Sequence, residues 1–190
     1  MQKINLRQIV AYGHLVIIIA MLAVFIACAS PARPEYMVPG SDLYAKPCLN
    51  SPLCNAIAIS KVGGGEKTNP LLVTKVGNKE LMDALRLSLR QYGFLNISDV
   101  AAQFRLEAFL MELKQPGTAL TMIVYSVVRY KLTRSSDDQV VYDDIITASY
   151  QATKYDAFFG PQRIKIASEG SIRANIAIFL GHLHSLNIEK

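Results

Sequence analysis

The sequence predicts an α+β fold: a two-layer sandwich in which a mostly antiparallel four-stranded sheet carries two helices on one face, in the order β-α-β-β-β-α. Three observations carry that reading. Two segments repeat apolar residues at helical spacing, three segments alternate with a period of two, and turn residues separate the alternating segments. One layer of helices over one face of such a sheet buries the apolar stripes of both at once.

Residues 56–61, Ala-Ile-Ala-Ile-Ser-Lys, read as a short buried strand running into the glycine loop 62–66. A helix is expected over 78–92, where Leu81, Leu85, Leu89 and Tyr92 follow at spacings of four, four and three and Gly93 closes the run. Strands at 104–114 and 119–132 flank a Pro-Gly turn, and a fourth at 140–153 follows the polar turn 135–138. The last helix is expected over 164–186, with Ile172, Ile176, Phe179, Leu180 and Leu183 as its stripe.

Alternation assigns the faces. Phe104, Leu106, Ala108 and Leu110 share one face of their strand, and Leu120, Met122, Val124, Val128 and Tyr130 share one face of the next. For both sets to lie under the helices, even positions must pair with even. That asks for a hairpin loop of odd length, such as Gln115-Pro116-Gly117. The opposite face is then expected to hold Phe109, Met111 and Leu113 beside Ile123, Tyr125 and Val127, with Arg105 and Arg129 at the far end. A solvated antiparallel face should be polar there. These residues therefore mark either a face covered from within the chain, by the segment before 55 or the loop 63–70, or an exposed contact surface.

The chain opens on a different pattern. Lys3 and Arg7 precede an unbroken apolar run over 15–27, which ends in Phe25-Ile26-Ala27-Cys28. That order resembles the lipoprotein signal peptide of bacteria, in which the cysteine is acylated and becomes the new N-terminus; the leucine usual three residues before it is Phe25 here. The resemblance divides the chain into a signal peptide, 1–27, an acylated cysteine with a flexible tether, 28–54, and the α+β domain, 55–190. As an uncleaved helix, 9–27 would offer 19 residues, nominally a bilayer span, but Tyr12, Gly13 and His14 interrupt it. The 13 apolar residues that remain have the size of a signal's hydrophobic region. Both readings place 29–190 outside the cytoplasm. In the resembling proteins an aspartate after the cysteine favours the inner membrane; Ala29 stands here, which implies an outer-membrane protein, lipid-anchored and facing the periplasm.

Pro31, Pro34, Pro39, Pro47 and Pro52 give 29–54 the composition of a semi-extended spacer. Within it, Cys48 and Cys54 read as a disulfide in an oxidising compartment, and closing so short a loop contributes roughly 2 to 2.5 kcal/mol. Without Lys3 and Arg7 the net charge falls from +5 to +3, too small and scattered for nucleic-acid binding. The basic cluster Arg129, Lys131 and Arg134 reads as a solvated strand end or a contact with anionic head groups.

Catalytic and cofactor chemistry finds little to stand on. Gly63-Gly64-Gly65-Glu66-Lys67-Thr68 departs from a phosphate-binding loop at Glu66, where the pattern needs glycine and a carboxylate would repel the ligand. Asp137-Asp138 and Asp143-Asp144 fall in a turn and a strand, where solvation accounts for them. His182 and His184, two apart on a helix, point to different sides and make no chelating pair. No enzyme, metal or cofactor is expected.

A lipidated cysteine, a tether and one β-α-β-β-β-α domain resemble the small periplasmic lipoproteins of Gram-negative envelopes, among them the lipopolysaccharide-assembly lipoprotein and the auxiliary lipoproteins of lipid-transport systems. The segments 62–71 and 167–176, Ala-Ser-Glu-Gly-Ser-Ile-Arg-Ala-Asn-Ile in the second, are similar to a proteobacterial lipoprotein group of largely unassigned function. The resemblance transfers no catalytic residue and no ligand; taken with the broken alternation of the sheet face, it leads to the expectation of a non-enzymatic accessory or assembly factor that docks an envelope protein partner or a glycolipid through its sheet, at Phe109, Met111, Leu113, Ile123 and Tyr125. The alternative is a lipid-handling auxiliary that holds a hydrophobic ligand between helices and sheet. Within 167–176, Glu169 and Arg173 stand in the favourable order for a helical ion pair, and Gly170 points to a close helix contact.

Overall fold

The computed structural model describes His14 and residues 30–40, 47–68, 74–97, 102–116 and 121–188; Cys28, the rest of 1–29 apart from His14, and Leu120 of the expected core set lie outside the described residues. The elements are β1 (Ile57–Gly63), α1 (Asn78–Gln91), β2 (Phe104–Lys114), β3 (Met122–Arg134), β4 (Val140–Ala152) and α2 (Gly160–Ser185). They form one four-stranded sheet in the order β1-β2-β3-β4, with β1 parallel to β2 and the other pairs antiparallel. The parallel pair is joined through α1, the kind of crossover that parallel neighbours require. α2 then lies across β3 and β4.

Each helix ends where its residues dictate. Gly93 takes the left-handed conformation at φ 74°, and the Phe94 N–H donates back across it to the Leu89 carbonyl, closing α1. α2 starts four residues before the expected 164, because Pro161 occupies the first turn, where a missing N–H costs nothing.

The even-numbered set forms the core as expected: Phe104, Leu106, Ala108 and Leu110 lie buried opposite Val128, Tyr130 and Leu132. Tyr130 stacks on Phe179 of α2 with ring centroids 4.1 Å apart. Its hydroxyl donates to Asn175 Oδ1, while Asn175 Nδ2 donates to the Ile146 carbonyl, so this buried polar pair is satisfied across helix and sheet.

Two expectations fail, each for a physical reason. Even-to-even pairing runs only to Leu110↔Val128; Glu112 then pairs with Val127 and Lys114 with Tyr125. Met111 is the extra residue of a bulge, which reverses parity, so the ladder's last pair encloses an even number of residues rather than an odd one. The bulge turns Leu113 inward to pack beside Met122, Val124, Ala152, Ile164 and Ala167.

The expected flexible tether is the second failure. Its described parts are packed onto the helices. Residues 34–37 form a 3-10 turn whose Met37 is fully buried with Ala32 and Leu53, all within the main core. Tyr92 Oη and Gln91 Nε2 donate to the Pro39 carbonyl, Arg173 donates to that of Tyr36, and the Cys48 N–H donates to that of Tyr92. Cys48 and Cys54 are joined by a disulfide with Cα atoms 5.5 Å apart. Proline forbids regular structure there but not burial, and Met37 and Leu53 supply the apolar surface. Residues 30–40 thus act as a strap across α1 and α2.

Candidate functional site

The face of the sheet turned away from the helices is built by alternation along three strands. Phe109 and Met111 of β2, Ile123 and Tyr125 of β3 and Ile145 of β4 all point outward there. Phe109 is 52% exposed and Met111 51%. Leu113 does not join them, since the bulge sends it to the core and leaves Glu112 and Lys114 exposed in its place. Ile145, absent from the expected set, faces Arg129 across the β3–β4 ladder at 51% exposure. Its signal is alternation in β4, where the buried Ile146 and Ala148 fix the parity.

Apart from Gly63, which ends β1 beside Phe109, the described residues of the two expected covers make their contacts elsewhere. The strap lies against α1 and α2, on the far side of the sheet. The glycine loop turns toward α1, the Gly65 N–H donating to Asn78 Oδ1 and the Glu66 N–H to the Val76 carbonyl. Residues 69–73 lie outside the described residues.

A shallow groove of about 420 Å³ crosses the face, lined by Lys61 and Gly63 of β1, Glu107, Phe109 and Met111 of β2, and Arg129 and Lys131 of β3. Its apolar floor depends on a glycine. A Cβ on Gly63 would sit 2.9 Å from Phe109 Cδ2, so only a hydrogen lets the ring lie that close to β1. Gly64, at φ 78°, comes against the Leu110 carbonyl, where a side chain would collide with backbone. On the rim, Arg129 Nε and Nη2 donate to the two oxygens of Asp143 at 2.8 and 2.7 Å. That hydrogen-bonded guanidinium, with Lys131 nearby, holds the Asp143 carboxyl below the usual carboxylate range.

The residues of 167–176 serve structure. Ser168 Oγ accepts from Gln115 Nε2, and the Ser171 carbonyl accepts from Ser126 Oγ. Glu169, almost fully buried, accepts from the Arg33 N–H and lies 3.6 Å from Arg33 Nε and 4.0 Å from Lys165 Nζ. Its expected partner Arg173 turns instead to the strap and to the ring of Tyr150. Burial pushes the Glu169 carboxyl above its ordinary value, while burial lowers Lys165. At the other end of α2, His182 Nδ1 shares a hydrogen bond of 2.8 Å with Tyr142 Oη, and His184 packs edge-on to Phe94.

No family model matches this chain, and no curated protein does. Solved structures do. A Xanthomonas campestris protein of family DUF330 is 12% identical, with a TM-score of 0.50 over 83% of this chain and 99% of its own. A hypothetical protein from Chlamydia trachomatis is 14% identical, with a TM-score of 0.47 over 68% of this chain and 97% of its own. A Caulobacter crescentus protein provisionally described as a lipoprotein is also 14% identical, with a TM-score of 0.46 over 69% of this chain and 89% of its own. At these identities the likeness is one of fold: this chain has the α+β architecture of the Xanthomonas protein, among neighbours that are uncharacterised or described as lipoproteins.

Proposed function

We propose that this chain is a non-enzymatic envelope lipoprotein, anchored through acyl chains on Cys28, that acts as an accessory or assembly factor by docking a protein partner on the open face of its sheet. The observation that carries the reading is the exposure of Phe109, Met111, Ile123, Tyr125 and Ile145 together, where an ordinary wet face would be polar.

Two further features choose among occupants. Leu106, Tyr130, Leu132, Ile172 and Phe179 are all fully buried between helices and sheet, which favours docking on the surface over carriage of a hydrophobic ligand inside. The groove's rim carries both signs, Glu107 and Asp143 beside Lys61, Arg129 and Lys131. Mixed charge suits a protein surface, where each sign finds a counterpart, better than a uniformly anionic glycolipid. The outer membrane, with the domain in the periplasm, is the location we propose.

A photoreactive residue at position 145 of the acylated protein in its own membranes tests the reading. One discrete protein adduct is expected at 145, and none with the probe at Ile178 on the outer side of α2. Equal adducts at both positions, or none at 145, would refute the docking face.

A further inference from the structure

The turn between β4 and α2 exposes more aromatic surface than any helix or strand requires. Tyr155 is 88% exposed, Phe158 86% and Phe159 56%. The turn is nonetheless tightly built: Asp156 Oδ2 accepts from the N–H and hydroxyl of Thr153, at 2.7 and 2.8 Å, and the Asp156 N–H donates to the Thr153 carbonyl. Those bonds from Thr153 hold the Asp156 carboxyl below its ordinary range. Phe158 and Phe159 stand perpendicular with centroids 5.5 Å apart, and Lys154 Nζ lies over the Tyr155 ring at 5.2 Å. Thr153 and Asp156 thus close the turn on itself, while the rings of Tyr155, Phe158 and Phe159 stay exposed.

Its place in the molecule matters as much as its composition. Lys165, in the second turn of α2, donates to Ser30 Oγ at 2.7 Å, and the Ser30 carbonyl accepts from Thr74 Oγ1 at 2.9 Å. Ser30 is therefore held against the first half of α2, and Cys28 is two residues away along the chain. Two residues reach at most about 7 Å, and the six from Phe159 to Lys165 span about 9 Å of helix axis. With the strap packed down, no spacer separates the acylated position from this end of the domain. Met111, Ile123 and Tyr125 lie at the same end of the sheet as this turn, where β2 and β4 finish and β3 begins, while Arg105 and Arg134 lie at the opposite end.

We propose that the β4–α2 turn, through Tyr155, Phe158 and Phe159 with Lys154, is a second membrane contact that seats in the bilayer interface beside the acyl anchor and orients the domain. It rests on the reading of Cys28 as acylated and is independent of what docks on the sheet. Aromatic rings are favoured at the head-group level, and the lysine amine can reach lipid phosphates while its stem stays apolar. An anchor alone would leave the domain free to rotate; a second contact removes that freedom.

The chain contains no tryptophan, so one introduced ring reports alone. Phe158→Trp is made in the full acylated protein and placed in vesicles of phosphatidylethanolamine and phosphatidylglycerol containing lipids brominated near the head group. Blue-shifted emission is expected, with quenching several-fold stronger than for Val140→Trp at the opposite end of β4; Phe159→Trp should behave as Phe158→Trp does. Red emission that iodide quenches while the protein is vesicle-bound would overturn the proposal, as would failure of the acylated chain to bind. Cys28→Ser in the same background separates the anchor from the turn: loss of binding is expected, and unchanged binding would refute the anchor. A missing adduct at position 145 would leave the quenching result untouched.

Discussion

Two glycines of α2 show how far a single residue's role depends on its neighbours. A Cβ on Gly170 would fall 2.3 Å from Tyr150 Cγ, the rigid root of the ring, whereas a Cβ on Gly181 would meet nothing within 4 Å. Alanine favours a helix over glycine by about 1 kcal/mol. Gly181→Ala should therefore raise the melting temperature in a thermal scan. Gly170→Ala should lower it, because overpacking costs about 1 to 3 kcal/mol. Glu169 gives a pH signature at the same scale. Its folded-state value is raised by burial, so the stability associated with this group is fully present below the ordinary value of 4.5 and is lost as pH rises through the raised one. In denaturant titrations at a series of pH values, Glu169→Gln should flatten that dependence, since the amide oxygen can still accept from the Arg33 N–H. The close contact at Gly170 was legible in the sequence, because glycine inside a helix has a cost that needs a reason. The partner of Glu169 was not, because Arg33 lies 136 residues away and nothing local announces it.

At the scale of elements, the two helices and four strands follow from periodicity, and the departures come from places where one rule hides another. The bulge left a trace: strict alternation from Leu110 would send Glu112 to the core, and the doublet Leu110-Met111 relieves that conflict by turning Leu113 inward instead. The strap left less, since five prolines announce irregular backbone and say nothing of what the residues between them touch. Met37→Ala separates a packed strap from a loose tether. Met37 is fully buried, and truncating a buried methionine costs about 2 to 5 kcal/mol, so a clear drop in the unfolding midpoint is expected where a tether would show none. The disulfide adds to the same element: with Cys48 bonded to Cys54 and its N–H held by Tyr92, the segment is closed covalently next to the end of α1.

For the whole molecule, the two-layer plan divides labour between faces. The helix-covered face holds the core and the buried bonds of Asn175, Ser126 and Glu169; the other face carries apolar side chains that the fold does not use. Alternation separated the two faces, but it left open whether the second was covered from within the chain, and it missed the membership, since Leu113 left the open face and Ile145 belongs to it. The start of the strap at Ser30, the aromatic turn and the apolar end of the sheet gather at one end of the domain, while the strap itself runs along α2 to Pro39 at the other end; this places the proposed docking face beside the proposed membrane contact. The double variant Met111→Glu with Ile123→Lys, followed by thermal unfolding and by cross-linking from position 145, tests the central claim most directly. Both side chains point away from the core, so a melting temperature within a few degrees of the parent and loss of the adduct are expected. A double variant that unfolds, or one that stays folded and keeps the adduct, would contradict the claim that this open face is where a partner docks.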